Sequence, residues 1–322
     1  MEYCVAIRTL GSAGEKFQKE LDSIISQTIK PQGIFVYIPE GYPIPKETVG
    51  IEQYIRCRKG MVAQRALPYN EITTPLCLFL DDDVYLPPDA VETMINAMIA
   101  HQGDCIVADT FKNQDMNVRS KIKSAITNWA LPRRDDNWAF KIGYTATFSY
   151  NNHPRRNVYP SQSGAGPCSL WRIEALRQIH FEDELWMDKF GFAYGDDLLY
   201  FHKLFRNGGK LLTLYHSGIE HMDAQSSRKS YDNSRKFYIR AKNWYVLWRR
   251  TQIDAADVSA LHNFLAHVFQ FFRIIWEVLL HLIYSVLHLS PHPLFLYIKG
   301  LCHGWQFVRS KEYRSIPNFI VR

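Results

Sequence analysis

The stretch Leu76-Cys77-Leu78-Phe79-Leu80-Asp81-Asp82-Asp83-Val84 decides the fold. Its apolar half, Leu76 to Leu80, reads as a buried strand, and three carboxylates stand where that strand emerges. Side chains alternate along a strand, so Asp81 and Asp83 share a face. Mg²⁺ and Mn²⁺ prefer carboxylate and phosphate oxygens, and an Asp-x-Asp pair suits a cation held against a nucleotide diphosphate. An acidic triplet also reads as a solvated turn or a calcium loop, so the surrounding sequence has to decide.

On the amino-terminal side, Tyr3 to Thr9 reads as a short buried strand. Gly11, Ser12 and Gly14 follow, then a helix from Glu15 to Gln27 with Phe17, Leu21, Ile24 and Ile25 along one face. Gly33 to Ile38 and Ile51 to Cys57 are further strands, Gly60 to Tyr69 a helix, and Pro87 to His101 a helix opened by proline. Strands alternating with helices imply a parallel sheet with helices on both faces, whose ligands bind beyond the carboxyl ends of the strands. No Gly-x-Gly-x-x-Gly follows the first strand and no Gly-Lys-Ser/Thr loop occurs, which disfavours a nicotinamide site and a phosphate-cradling ATPase loop.

On the carboxy-terminal side, Asp109 to Gln162 is polar and without clear periodicity. It carries Trp129, Trp138, Arg133, Arg134, Arg155 and Arg156, which serve either as packing anchors or in acceptor recognition. Gly164-Ala165-Gly166 precedes Cys168 to Arg172. A second acidic pair, Asp196 and Asp197, opens the helix-like run Leu198 to Phe205 after Phe190-Gly191-Phe192-Ala193-Tyr194-Gly195. One aspartate there would be explained by helix capping; two behind an aromatic, glycine-rich run look like a site. After the strand Lys210 to Tyr215 come His216 and His221, with Arg228 beyond, an imidazole able to complete a metal shell and a guanidinium able to screen phosphate.

The chain has 322 residues, 47% of them hydrophobic, enough for one large domain or two ordinary ones. Its net charge of +6 comes without the dense Lys/Arg tracts of a nucleic-acid protein and fits attraction to anionic phosphates or lipid headgroups. Six separated cysteines, Cys4, Cys57, Cys77, Cys105, Cys168 and Cys302, read as reduced core thiols. The first strand begins at once, with no charged leader or export segment, so a cytosolic chain is expected. From Phe264 to Tyr297 the sequence is dense in Phe, Leu, Ile, Trp and His, but Arg273, Glu277, Pro291 and Pro293 interrupt it. A spanning helix needs roughly 20 clean apolar residues. A membrane-surface element is therefore expected, with Arg249, Arg250, Lys299, Arg309, Lys311 and Arg314 meeting acidic headgroups. The alternative is a helical subdomain packed on the core or on a second subunit of a homo-oligomer.

Taken in order, these features resemble the family 2 glycosyltransferases. The resemblance rests on the first strand with Ser23 to Pro31 (SIISQTIKP), on Arg58-Lys59-Gly60 with Arg65, on LFLDDDV from Leu78, on GAGPCSLWRIEAL from Gly164, and on Gly195-Asp196-Asp197. It covers about the first 250 residues. What it implies is a GT-A fold, a mixed and mainly parallel α/β sheet flanked by helices. Residues 1–250 would be catalytic, with 1–110 binding the nucleotide sugar and 111–250 the acceptor, and 251–322 a helical, membrane-associating or docking extension. It also implies inverting transfer from a UDP- or dTDP-sugar with a divalent cation, Mn²⁺ or Mg²⁺.

Position by position, the resemblance implies Asp83 and His221 as metal contacts. Thr9, Glu40, Arg65, Asp81, Asp82 and Arg228 would bind the donor, and Gly166 and Trp171 the acceptor. Asp197 falls on the catalytic aspartate of a motif usually written Glu-Asp, and Asp196 replaces the Glu, so the base is one of this pair. Glu40, in Pro39-Glu40-Gly41, stands where the family reads the nucleotide base with an Asp-rich turn. The runs Tyr238 to Arg250 and Lys299 to Trp305 look like the tails of bacterial members that build surface polysaccharides on lipid-linked acceptors at the cytosolic membrane face. Two other readings stay open: an inactive nucleotide-binding or scaffold protein of the same fold, and a metal-dependent phosphohydrolase.

Overall fold

The computed structural model describes residues 1–110, 134–222 and 233–320. The chain begins with β1 (Tyr3–Arg8), α1 (Glu15–Ile25), β2 (Ile34–Pro39), β3 (Glu52–Cys57), α2 (Met61–Arg65), β4 (Leu76–Asp81), β5 (Val84–Tyr85) and α3 (Ala90–Ala100). It continues through β6 (Cys105–Ala108), β7 (Phe140–Ile142), β8 (Phe148–Tyr150), β9 (Val158–Pro160), β10 (Cys168–Arg172) and α4 (Ile173–Gln178). A 3₁₀ stretch, Phe181–Phe190, leads to α5 (Asp196–Arg206), β11 (Leu211–Leu214) and β12 (Glu220–His221). Then come α6 (Asn233–Trp248), a π-helical turn at Arg249–Ile253, α7 (Ala260–Leu287), α8 (His292–Phe307) and α9 (Lys311–Ser315).

The main sheet has the order β3-β2-β1-β4-β10-β6-β11-β9. β1, β2, β3 and β4 run parallel, as do β6 and β11. Continuous apolar runs such as Tyr3–Ile7 and Leu76–Leu80 form central strands because both faces are covered. β10 lies antiparallel between β4 and β6, and β9 antiparallel to β11, so the sheet is mixed. The α2 helix ends at Arg65, well short of Tyr69: Pro68 disfavours helical geometry at Leu67, and Tyr69 takes a left-handed φ of 48°. The next helix likewise starts at Ala90, after Pro87 and Pro88. All six cysteines are free thiols, but Cys302 is exposed and departs from the expected set of core thiols.

The carboxy-terminal helices are tied to the sheet domain. Glu184, fully buried, accepts from Arg250 Nε at 3.2 Å and Trp186 Nε1 at 2.7 Å, and lies 3.6 Å from Lys203 Nζ. These cations hold its carboxyl below the ordinary range against the opposing effect of burial. The α8 helix packs on α6 through Gly300 and Gly304, four residues apart. A side chain at Gly300 would collide with Tyr238 O, and one at Gly304 would lie 3.0 Å from Lys242 O.

Within α7 the usual amphipathic order is reversed. Its buried residues are Ala266, Gln270, Arg273 and Ser285, spaced to form one face, while Phe264, Phe269, Phe271, Phe272, Ile275 and Leu282 are exposed. It is, among the described residues, the one helix long and apolar enough to cross a membrane by length and composition. His288, Leu289, Ser290 and Pro291 separate it from α8.

Candidate active site at the carboxyl edge of the sheet

The acidic triplet and its histidine are assembled by two strand pairings. β4 brings Asp81 to the sheet edge in register with Arg8 on β1, whose Nη2 lies 3.0 Å from Asp81 Oδ1. Past the turn, β5 pairs antiparallel with β12, with Val84 opposite His221, and Met222 N donates to Asp83 O at 2.8 Å. That register sets His221 Nε2 3.0 Å from Asp83 Oδ1. Thr9 Oγ1 donates to Asp82 Oδ2. Burial, with mutual repulsion among the carboxylates, raises Asp81 to about 7 and Asp82 to about 6.

Beneath the triplet lies a carboxyl that sequence reasoning missed. Glu20 on α1 is fully buried, and its Oε2 accepts from Val84 N at 3.3 Å. Desolvation, then the charge of Asp82, pushes its pKa well above the usual carboxyl range. The signal was present, since Glu20 falls on the apolar face of Phe17, Leu21 and Ile24.

The second acidic pair opens α5 behind Gly195, whose φ of 91° favours glycine. Arg65 joins both acids: Nε lies 3.0 Å from Asp196 Oδ2, and Nη2 pairs with Asp197 Oδ1. Asp196 is buried, whereas the Asp197 side chain is 39% exposed. Desolvation and the neighbouring Asp197 raise Asp196 to about 7, against the opposing pull of Arg65. Arg65 is itself placed by a cap that no local sequence signal reveals. Asp188, from the 3₁₀ stretch, accepts from Val62 N at 3.1 Å and Ala63 N at 2.8 Å, closing the start of α2.

Gly166 lies between the two clusters. Its carbonyl accepts from Arg8 Nη2 at 3.3 Å, and Asp81 N donates to the next carbonyl, Pro167 O, at 3.0 Å. A Cβ on Gly166 would collide with the Asp197 carboxylate and lie 2.7 Å from Arg65 Nη2. Gly166 thus touches the Arg8–Asp81 pair through its carbonyl and the Arg65–Asp197 pair through its Cα, which sets the two clusters side by side.

Other expected residues lie elsewhere. Trp171 is fully buried in β10, its Nε1 donating to Ser169 Oγ at 3.0 Å and its ring 4.9 Å from that of Tyr200. It has no free face to offer an acceptor and is a packing residue. Glu40 is exposed just past β2, its N–H held by Cys57 O at 3.0 Å. Arg228, Trp129 and Arg133 lie outside the described residues.

Among the described residues, no group of three or more His, Cys, Asp or Glu side chains is arranged to hold a metal ion. The Asp83–His221 pair supplies one oxygen and one imidazole donor. That set fits a cation shared with phosphates, since such ions take one or two protein ligands and complete their shell with substrate oxygens and water.

Residues 53–176 match the family model described as Glycosyl transferase family 2. That stretch, under half of the chain, is similar to the family 2 glycosyltransferases. The match runs from β3 through the triplet and Gly166 to α4. Among solved structures, GalNAc-T7, crystallised with UDP, GalNAc and Mn²⁺, is similar at 12% identity with a TM-score of 0.50. The similarity covers 79% of this chain and 48% of that one, so the chain spans about half its length. S. aureus TarS residues 1–349, in complex with UDP, aligns at 12% identity and a TM-score of 0.44, over 82% of this chain and 68% of that one. No curated protein sequence matches the chain. At this identity the first likeness shows the fold alone: the sheet domain has GT-A architecture, a mixed sheet with its acidic residues at the carboxyl edge.

Proposed function

We propose that the protein transfers a sugar, with inversion, from a UDP- or dTDP-sugar to a hydroxyl of a lipid-linked oligosaccharide in cell-surface polysaccharide synthesis. What supports this reading is the pairing of Asp83 with His221 and of Asp197 with Arg65, with Gly166 between the two acidic clusters.

Asp83 and His221 would hold Mn²⁺ or Mg²⁺, which when bound supplies positive charge to the departing diphosphate. A Mn²⁺ ion accompanies UDP in the structure of GalNAc-T7. Arg8, beside Asp81, adds a fixed positive charge on the same side of the cleft. Asp81 and Asp82 contact the nucleotide, with Thr9 fixing the orientation of Asp82. Glu40, at the end of β2, is the acid available to a uracil or thymine imide.

Asp197 is the base. It is the more accessible carboxylate of its pair, and Arg65 orients it. The acceptor oxygen attacks the anomeric carbon as the bond to the diphosphate breaks, and its proton passes to the Asp197 carboxylate. Asp196, buried against Arg65, positions that guanidinium.

The protein works peripherally at the cytosolic face of the membrane. The outward face of α7 carries no charged residue between Leu261 and Leu287, because Arg273 and Glu277 both turn toward the protein. Lys299, Arg309, Lys311 and Arg314 are exposed beyond it and match anionic headgroups. A soluble helix places such polar residues outward; a helix in contact with lipid does the reverse.

Incubation with a panel of UDP- and dTDP-sugars and Mn²⁺, read as diphosphate released in the presence of membrane extract, tests the activity. Absence of both nucleotide binding and release with every donor overturns it. The Arg65 pairing with Asp196 and Asp197 also suits a second reading, a nucleotide-binding protein without transfer. UDP binding without transfer to any lipid acceptor would select that reading.

A further inference from the structure

Between α6, α7 and α8 a polar crevice opens beneath the apolar face of α7, and its lining includes Arg240, Trp244, Gln270, Arg273, Glu277 and Tyr297. Arg273 is 7% exposed, yet its guanidinium makes a single hydrogen bond, from Nη1 to Thr145 O at 3.0 Å. It also rests 4.9 Å from the centre of the Trp244 ring. Glu277, one turn further along, lies 3.9 Å from His281 Nδ1, and among the described residues no carboxylate comes within ion-pairing distance of Arg273. Gln270, 4% exposed, has a buried Oε1 without a hydrogen-bond partner in the same crevice. The charge of Glu277 favours this buried cation without forming an ion pair with it, and an anion in direct contact offsets the rest of its burial cost. Arg240 is the exposed residue of the lining and lies over the Tyr194 ring at 5.6 Å. Tyr194 immediately precedes Gly195-Asp196-Asp197.

We infer that this crevice is a binding site for a phosphate or diphosphate group, held at its mouth between Arg240 and Arg273 and carried by the lipid-linked acceptor. The enclosed space is about 20 Å³, so the phosphate sits at the mouth beside Arg240, not within. The inference rests on the proposed lipid-linked acceptor and assigns its headgroup. One molecule then reaches from the apolar face of α7, past Arg273 and Arg240, to place a sugar hydroxyl near Asp197. The guanidinium forks match phosphate oxygens, and the surrounding Trp244, Tyr297 and Ile274 keep water away from the contact.

Binding of farnesyl diphosphate, farnesol and inorganic pyrophosphate to the full chain in detergent, with EDTA present, tests this. The Trp244 fluorescence beside Arg273 and calorimetry are the readouts, and UDP binding with Mn²⁺ is measured in parallel. Farnesyl diphosphate is expected to bind at least tenfold more tightly than farnesol. Arg240→Ala and Arg273→Gln are expected each to erase that preference while leaving UDP affinity within twofold. Tighter binding of farnesyl diphosphate than of pyrophosphate assigns the group to lipid; equal binding overturns the lipid source. Equal affinity for farnesol and farnesyl diphosphate, or an undiminished preference in the exposed-site variant Arg240→Ala, overturns the site itself. Loss of UDP binding in the wild type would strike the donor reading and leave the crevice result standing.

Discussion

His221 Nε2 stands 3.0 Å from Asp83 Oδ1, although the two residues are separated by most of the sheet domain in sequence. The contact exists because β12 pairs with β5 immediately after the aspartate triplet, in the register that sets His221 opposite Val84. A two-strand ladder thus completes a pair of donors that no local segment contains. Removing either donor should weaken UDP binding only when the cation is present. For Asp83→Ala a roughly 100-fold loss of Mn²⁺-dependent UDP affinity is expected, and for His221→Ala about tenfold. Calorimetry with Mn²⁺ and with EDTA measures both; equal losses under the two conditions would exclude the metal role.

Asp197→Asn keeps the size of the side chain and removes its basicity. Turnover should fall by about 10²- to 10⁴-fold, the range for loss of a general base, with UDP affinity within twofold. Asp196→Asn should give a smaller loss, because that carboxylate is buried against Arg65. A reversed order of the two effects would move the base to Asp196.

Gly166→Ala forces a methyl group against the Asp197 carboxylate and Arg65 Nη2. The resulting overpacking should cost about 1–3 kcal/mol and disturb the ion pair, lowering both Tm and turnover. Thermal unfolding together with initial rates checks this; an unchanged rate would mean that the cleft accommodates the methyl without moving Asp197.

Glu184 gives the fold an acid limit. Its carboxyl, buried between Arg250 and Lys203, is held below its ordinary value of 4.5, so near that pH the folded chain binds fewer protons than the unfolded one. The stability it contributes is fully present above pH 4.5 and is lost as pH falls through the folded value. Glu184→Ala, which takes the carboxylate from buried Arg250 while Lys203 keeps Asp183, should cost about 3–5 kcal/mol at neutral pH and flatten this acid dependence. Denaturant titrations of the wild type and Glu184→Ala from about pH 5 to about pH 3 measure it; a stability difference between the two that does not shrink as pH falls would contradict the assignment.

Charge placed on the outward face of α7 should detach the protein from lipid. Phe264→Asp and Leu287→Asp each remove an exposed apolar side chain worth about 1.5–3 kcal/mol on burial, so each should lower vesicle affinity at least tenfold. Co-sedimentation with vesicles containing anionic lipid reads the effect. Unchanged binding in both variants would exclude this face as the contact.

Much of the sheet is legible in the sequence. Tyr3–Ile7, Ile34–Ile38 and Leu76–Leu80 are continuous apolar runs, and such runs become central strands because helices cover both faces. The antiparallel course of β10 is not legible, since an apolar run carries no direction and only its pairing with Leu80 and Val107 assigns one. Trp171 illustrates the same limit: an aromatic beside a glycine-rich segment looks like a sugar platform, but strand alternation points it into the core against Tyr200 and Phe201. Asp188 was hidden because a cap supplied from a distant 3₁₀ turn leaves no mark near α2.

What the sequence by itself determined is the chemistry at each position: acids at the end of β4 and the start of α5, apolar strands between them, and an apolar carboxy-terminal region. Residue type and short-range periodicity are local properties, and they survive in a linear reading. Only the tertiary structure decided which acids meet, that Arg65 joins Asp196 to Asp197, and that α7 turns Arg273 inward and its phenylalanines outward. Those outcomes depend on strand register and on which helix face packs, both set by long-range contacts whose energies no single segment contains.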